Sequence, residues 1–337
     1  ADIIGCTDIA ILVIDGCDMA LEQETAWMKR LKSAGIPTIT VLNKQDRLDE
    51  TDSAITRKLA TEFTNNAGLA APIPVSAKTG EGIDLLRSAI RDSAPEEFMQ
   101  KTILGGLLED GSLVLLVMPQ DIQAPKGRLI LPQVQTIREL LDRKCSVMST
   151  GADGAAKALS TLNRAPDLII ADSQCFDEVY KIKPEASELT SFSILMAASK
   201  GDINVFIDGI SAIDDALRRP ANPKPAANNA GNPFKVLIAE ACTHVPLQED
   251  IGTVRIPGLL HKAFGDSVEI TNVRGNDFPD IDELKRYDLI IHCGGCMFNR
   301  RHVMSRIAAA REAGVPITNY GIFLAKMAGI LDQVSLP

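Results

Sequence analysis

Short apolar runs, each closed by a polar or glycine-containing turn and separated by stretches of helical period, recur along all 337 residues. The runs at 9–15, 38–42, 73–75, 113–118, 146–149, 168–171, 235–241, 267–271, 288–292 and 316–319 read as strands, and the first of them is apolar almost throughout. That is how a strand reads when both of its faces are covered in a parallel sheet. Helical periodicity fills the gaps at 25–34, 54–65, 83–93, 134–142, 155–163, 257–264, 302–313 and 322–329, and the first of these stops at Gly35. Residues 191–199 and 203–217 read as two further helices, and 128–131 as one more strand. Strand alternating with helix predicts an α/β chain of parallel sheets. It divides into three α/β units, 1–95, 101–202 and 203–337, with a Pro- and Asn-rich linker at about 219–233 where helix and strand are both disfavoured. Residues 1–95 look like the second half of a doubly wound domain.

Composition narrows the roles open to such a chain. Aromatic residues make up only 4%, so the cores are aliphatic. The net charge of −9 comes with no Lys/Arg cluster, which argues against nucleic acid as a partner, since phosphate neutralisation dominates that affinity. No apolar run approaches the ~18 residues needed to span a bilayer, so no membrane role is expected. Seven cysteines, an odd number and widely scattered, indicate a reducing, cytoplasmic compartment. The first strand begins eight residues after Ala1 with no initiator methionine, and the chain is expected to be an N-terminally truncated fragment.

Two loops following strands carry nucleotide chemistry. Asn43-Lys44-Gln45-Asp46 follows the strand at 38–42, and Ser76-Ala77-Lys78 follows the one at 73–75. The first spells N-K-x-D, the guanine-reading element of P-loop GTPases, and the second resembles their S-A-K element. A carboxylate such as Asp46 accepts two parallel hydrogen bonds from the guanine N1–H and exocyclic amine, a pair adenine does not offer. The Lys44 stem can lie along the base, Asn43 can tie the loop to its neighbours, and the Ala77 N–H would meet the guanine O6. Either motif alone is weak. Both on successive strand ends at this spacing predict a base pocket. No G-x-x-x-x-G-K-[ST] occurs, and Asp2-Ile3-Ile4-Gly5 stands too close to the first strand to be a switch element. The chain therefore has the base-reading half without a phosphate cradle, and on its own is not expected to hydrolyse GTP.

A second constellation lies in the last unit. Cys242-Thr243-His244 follows the strand at 235–241, and Cys293-Gly294-Gly295-Cys296 follows the one at 288–292. Both belong at the carboxyl ends of strands, where open α/β sheets build their sites. The two glycines allow a turn tight enough for both sulfurs to face one centre. Three thiolates suit an iron–sulfur cluster, with His244 or an exchangeable molecule on the remaining iron. The same Cys3His set suits structural zinc, and spacing alone does not separate the two. His292 points away from Cys293 by strand alternation. Cys6, Cys17, Cys145 and Cys175, isolated in or beside apolar strands, read as core packing. His261 reads as a surface residue, and His302 as a neighbour of the site.

Cys242-Thr243-His244, a gap of 47 residues, then His292-Cys293-Gly294-Gly295-Cys296-Met297 resembles the C-x-H…H-C-x-x-C signature of the FeFe-hydrogenase maturation GTPases. Ala124-Pro125-Lys126-Gly127-Arg128-Leu129-Ile130-Leu131-Pro132-Gln133, Ala171-Asp172-Ser173-Gln174, Thr190-Ser191-Phe192-Ser193-Ile194-Leu195 and Pro316-Ile317-Thr318-Asn319-Tyr320-Gly321 are similar to further segments of that family. The resemblance implies a GTPase domain at 1–95, here without its phosphate loop, a dimerisation domain at 101–202 and a cluster-binding domain at 203–337. It implies a 4Fe–4S cluster on Cys242, Cys293 and Cys296 near His244, GTP bound weakly or not at all by this chain, and a diiron precursor as cargo. The implied partners are a second copy of the chain as homodimer or tetramer, the apo FeFe-hydrogenase and the radical-SAM maturation enzymes. A zinc-stabilised GTPase-type regulator is the alternative reading.

Overall fold

A computed structural model describes residues 3–18, 20–66, 68–94, 102–119, 129–218, 233–241 and 250–337. The chain forms two compact units, 2–100 and 101–337, each considered by itself. The first holds a three-stranded parallel sheet, β1 (Ala10–Asp15), β2 (Thr38–Asn43) and β3 (Ile73–Pro74), in that order. Helices α1 (Glu22–Ser33), α2 (Glu50–Asn66) and α3 (Ile83–Asp92) follow the strands in turn. Ile14, Leu42 and Ala60 pack on one face of the sheet, and Ile39, Val41 and Val75 pack with α3 residues on the other.

The expectation that the first strand is buried on both faces needs correction. Leu12 and Ile14 are buried, but Ile11 and Val13 are 44% and 51% exposed. α3 packs over β2 and β3, while β1 is the sheet edge and its second face stays open. The core reading of two cysteines also fails. Cys17 is exposed in the turn that leaves β1, with its N–H bonded to the Asp15 carboxylate at 2.9 Å, and Cys6 is only half-buried. Cys145 and Cys175 are buried.

The second unit contains two parallel sheets. The first has the order β5-β4-β6-β7, from β4 (Leu113–Val117), β5 (Ser146–Thr150), β6 (Leu168–Ala171) and β7 (Glu188–Ser191). The second has the order β11-β10-β8-β9, from β8 (Phe234–Glu240), β9 (Val268–Arg274), β10 (Leu289–His292) and β11 (Ile317–Asn319). The central strands β4, β6, β8 and β10 are almost completely buried, as continuous apolar character requires.

Helix α4 spans Leu131–Asp142, so residues 129–131 are not a strand, and Arg128 lies outside the described residues. Pro132 explains the difference: its fixed φ and missing N–H suit the first turn of a helix. The Gln133 side chain then accepts the Ile130 N–H at 3.2 Å, closing that turn. Helix α5 is Ala155–Thr161, and α6 (Phe176–Ile182), like strand β7, was not legible in the sequence. The stretch 203–217 is two helices, α8 (Ile203–Gly209) and α9 (Ser211–Arg218). Gly209 sits where any Cβ would overlap the Ile317 backbone, so the chain passes closely over β11 there. The last sheet is covered by α10 (Ile256–Phe264), the short α11 (Ile281–Leu284), α12 (Arg300–Ala313) and α13 (Tyr320–Met327).

One helix joins the two sheets. α7 (Phe192–Lys200) is capped by the Ser191 hydroxyl, which accepts the Ile194 N–H. Its Phe192 and Leu195 enter the core around Leu116, Leu140 and Ile170. Its Ile194 and Ala197 enter the larger core, which runs from Leu115 and Ile169 of the first sheet to Val236 and Ile290 of the second. The residues at 190–195 and 316–321, singled out in the sequence as separate segments, meet here. Ser193 Oγ donates to Asn319 Oδ1 at 3.1 Å, and a Cβ on Gly321 would crowd Ser191 and Ile194. Among the described residues no helix is long and apolar enough to cross a membrane.

Candidate functional site

The two loops at the ends of β2 and β3 are wired together. Asn43 Oδ1 accepts the Ala77 N–H at 3.1 Å, the Gln45 N–H donates to Val75 O at 3.2 Å, and Ser76 Oγ donates to Asp46 Oδ1 at 2.7 Å. The Ser76 bond holds the Asp46 carboxyl below the usual carboxylate range, so it stays ionised as an acceptor. Asp46 is exposed and each carboxylate oxygen has a lone pair to spare, which leaves it able to read a base edge. Lys44 has a left-handed backbone, φ 66°, and its ammonium pairs closely with Asp15 at the end of β1. Asp15 was not singled out in the sequence, although it stands opposite Asn43 in the β1–β2 register. Lys78 is exposed beside Asp46 and adds positive potential there. The Ala77 N–H, expected to face guanine O6, is held by Asn43, and a base must share or displace that bond. Gly82 closes the loop at φ 75°, with Pro74 O where a Cβ would stand.

The second site lies at the carboxyl rim of the last sheet. Cys293 follows β10 directly, and its Sγ accepts the Ala241 N–H at 3.1 Å and the Gly295 N–H at 3.4 Å. Ala241, at the end of β8, is peptide-bonded to Cys242. Cys242 and His244 lie outside the described residues, so nothing structural is added for those two. Gly295 has φ 64°, so the turn between the two thiols requires glycine there, whereas a Cβ on Gly294 would meet Met196 and Ser193 at ordinary contact distance and the expectation that both glycines are needed holds only for Gly295. Among the described residues no three metal-binding side chains converge.

His292 is fully buried and occupied on both ring nitrogens. Nδ1 lies 2.6 Å from Cys293 O, and Nε2 lies 3.1 Å from Arg306 Nη1. Since the guanidinium can only donate, the neutral ring carries its proton on Nδ1. Burial, with Arg306 second, pushes its pKa down to about 3. Both ring nitrogens are therefore used in holding the loop to α12. His302 lies in the first turn of α12, its ring stacked on Phe298 at 3.8 Å. His261 is exposed.

Sequence reasoning missed the wall of this site, which α7 supplies. Lys200 Nζ donates to three carbonyls of the thiol loop: Gly295 O at 3.0 Å, Cys296 O at 2.8 Å and Phe298 O at 2.8 Å. In return Arg300 Nη1 donates to Ser199 O at 3.4 Å and Gly201 O at 2.6 Å. Arg306, 3% exposed, lies between the rings of Phe278 and Phe298 and also donates to Gly275 O. Burial pushes the Cys293 thiol up to about 11 and raises that of Cys296, while the Lys200 ammonium works against the rise at Cys296. A bound metal would displace these protons. Among the described residues the carboxylate acting on Cys293 is Glu240, held by Arg274 at 3.0 Å and by the Tyr320 hydroxyl at 3.3 Å. Half-buried sulfur, N–H donors aimed at the Cys293 Sγ and nearby cations fit an anionic thiolate-bound centre.

Residues 4–96 match a family model described as the elongation factor Tu GTP binding domain. Residues 103–201 match the hydrogen maturase F dimerization domain, and residues 227–336 the hydrogen maturase F tetramerization domain. Among curated relatives, translation initiation factor IF-2 of Ruthia magnifica subsp. Calyptogena magnifica is 27% identical over 186 residues, covering 50% of this chain and 23% of that protein. The same factor from Anaplasma phagocytophilum is 27% identical over 194 residues, covering 56% and 20%. The Finegoldia magna factor is 29% identical over 160 residues, covering 45% and 19%. The chain thus spans about a quarter or less of the length of these three relatives. The N-K-x-D and S-A-K loops lie in the stretch matched to a GTP-binding domain, and beyond it the hydrogen maturase F dimerization and tetramerization domains cover more than half of the chain, so the chain belongs to the hydrogen maturase F family.

Proposed function

We propose that this chain is a scaffold and carrier for assembly of the FeFe-hydrogenase active-site cluster. It holds a 4Fe–4S cluster on Cys242, Cys293 and Cys296 with His244 close by, and delivers a diiron precursor to the apo-hydrogenase. The observation that carries the reading is Cys293 at the β10 rim. Its sulfur takes N–H bonds from its own loop and from Ala241, the residue bonded to Cys242. Those bonds stabilise thiolate over thiol at a position where iron would displace the proton. Three thiolates leave one iron of a cubane open to an exchangeable ligand, which is the chemistry a carrier needs. The radical-SAM maturation enzymes are the proposed source of the precursor, and the cytoplasm is the compartment that keeps these thiols reduced.

GTP is the proposed regulator, read through Asn43, Lys44, Asp46, Ser76, Ala77 and Lys78. In this chain the nucleotide binds weakly, because the phosphate contacts that supply much of its affinity have no counterpart in the sequence. The test is metal analysis after anaerobic purification and reconstitution, followed by EPR of the reduced protein. Iron with matching sulfide supports the scaffold. One equivalent of zinc with no iron overturns it in favour of a zinc-stabilised regulatory protein. Neither metal, with assembly unchanged after the three cysteines are replaced, leaves a structural oligomerisation protein.

A further inference from the structure

Two cations lie against the thiol loop, Lys200 half-buried and Arg306 3% exposed, and among the described residues neither forms an ion pair. The groups that favour their charged forms are the thiols of the loop. Burial weighs most on both, followed by Cys296 and Cys293 for Lys200 and by Cys293 for Arg306. Burying a cation without a partner costs several kcal/mol in effect, so such groups are ordinarily paired or held for a purpose. Glu240 does not balance them, because Arg274 and Tyr320 hold it. Lys200 has all three ammonium protons engaged by loop carbonyls. It comes from the last residue of α7, in the stretch matched to the dimerisation domain, and reaches across to the thiols of the following domain.

We infer that Lys200 is a positioning residue for the thiol loop and, with Arg306, the fixed countercharge of the anionic centre the loop holds. Three carbonyl bonds to one ammonium set the path of the chain from Gly295 to Phe298, and hence where the Cys296 sulfur stands relative to Cys293. The positive charge favours whichever redox state of the bound centre carries more negative charge, which is the reduced state. The countercharge half rests on the cluster reading above. The positioning half does not.

The experiment uses the full chain as wild type, Lys200→Met and Lys200→Arg. Metal content of the wild type is measured first, so that failure of the cluster reading is seen on its own. In anaerobically reconstituted protein, an EPR-monitored potential titration of Lys200→Met should move the oxidised-to-reduced balance at least about tenfold towards the oxidised state, equivalent to ~59 mV more negative for one electron. Lys200→Arg should stay within about threefold of wild type, because the charge is kept. An unchanged balance in Lys200→Met, or an equal shift in Lys200→Arg, overturns the countercharge. Should Lys200→Met fail to retain the cluster, return of iron and sulfide in Lys200→Arg supports the inference, and failure to return overturns it. In metal-free protein, amide exchange over 294–299 should rise about tenfold or more in Lys200→Met while that of β8 and β10 stays protected. Unchanged exchange in the loop overturns the positioning role whatever the metal proves to be.

Discussion

The N-K-x-D and S-A-K loops and the thiol rim both stand at the carboxyl ends of parallel strands, yet they are built in opposite ways. The first is exposed. Its donors and acceptors are satisfied by each other, Asp46 by Ser76 and Asn43 by Ala77, with Lys44 on Asp15. A ligand there exchanges one set of surface hydrogen bonds for another, which suits an occupant that comes and goes. The second is half-buried at its thiols and at Lys200, over a buried His292 and Arg306. Among the described residues its two cations have no carboxylate partner, and its sulfurs and backbone N–H groups do not balance them. A site that is incomplete without an anionic centre suits a resident group. Parallel-sheet topology supplies the position of both, and what differs is how far each balances its own charges and hydrogen bonds.

The sharpest way to break this contrast is to remove a thiol. Cys293→Ser should lose iron and sulfide to background after reconstitution and lose the reduced EPR signal, while Cys145→Ser, deep in the other sheet, should keep both. Retained cluster in Cys293→Ser would place the centre elsewhere.

Next in size is a strictly structural change. Gly209→Ala puts a methyl into the Ile317 backbone and should cost roughly 1–3 kcal/mol as α8 is pushed off β11. Chemical denaturation reads this directly, and the nucleotide loops of the other unit should be unaffected. A cost under about 0.5 kcal/mol would mean that the close approach of α8 to β11 is not maintained.

Nucleotide effects should be smaller. GTP should show no measurable turnover and only millimolar binding, seen as amide shifts over 43–47 and 76–78, and Asp46→Ala should abolish the preference for guanine over adenine. Micromolar affinity or turnover in this chain would contradict the reading that the phosphate contacts are missing. The smallest effect is chemical. In native protein, maleimide should label Cys17 within minutes and spare Cys175, whose thiol burial pushes up to about 12. Fast labelling of Cys175 would show that the α6 region opens.

Most of the sheet framework was legible because continuous apolar strands are long-range signals written locally. The thiol loop was legible because C-G-G-C needs no partner to be noticed. What escaped notice was short or non-local. β7 spells Glu188-Leu189-Thr190-Ser191, too polar and brief to register, and is completed by its neighbour β6 and by Ser335, whose N–H reaches Leu189 O at 2.8 Å. The apparent strand at 128–131 gave way because Pro132 starts a helix. Lys200 lies 95 residues from the nearest carbonyl it binds, and nothing in its local sequence, Ala-Ser-Lys-Gly, marks it as part of a site. Arg306 is likewise one basic residue in a helix rich in them, and only the fold puts it between two phenylalanine rings.

The central claim is that the thiol rim of the last sheet holds a resident iron–sulfur cluster. The most direct test is iron, acid-labile sulfide and zinc analysis of wild-type protein purified and reconstituted without oxygen, with EPR of the dithionite-reduced sample. The account predicts about four irons and four sulfides per chain and a signal of a reduced cubane. One zinc per chain, no iron and no signal would contradict it.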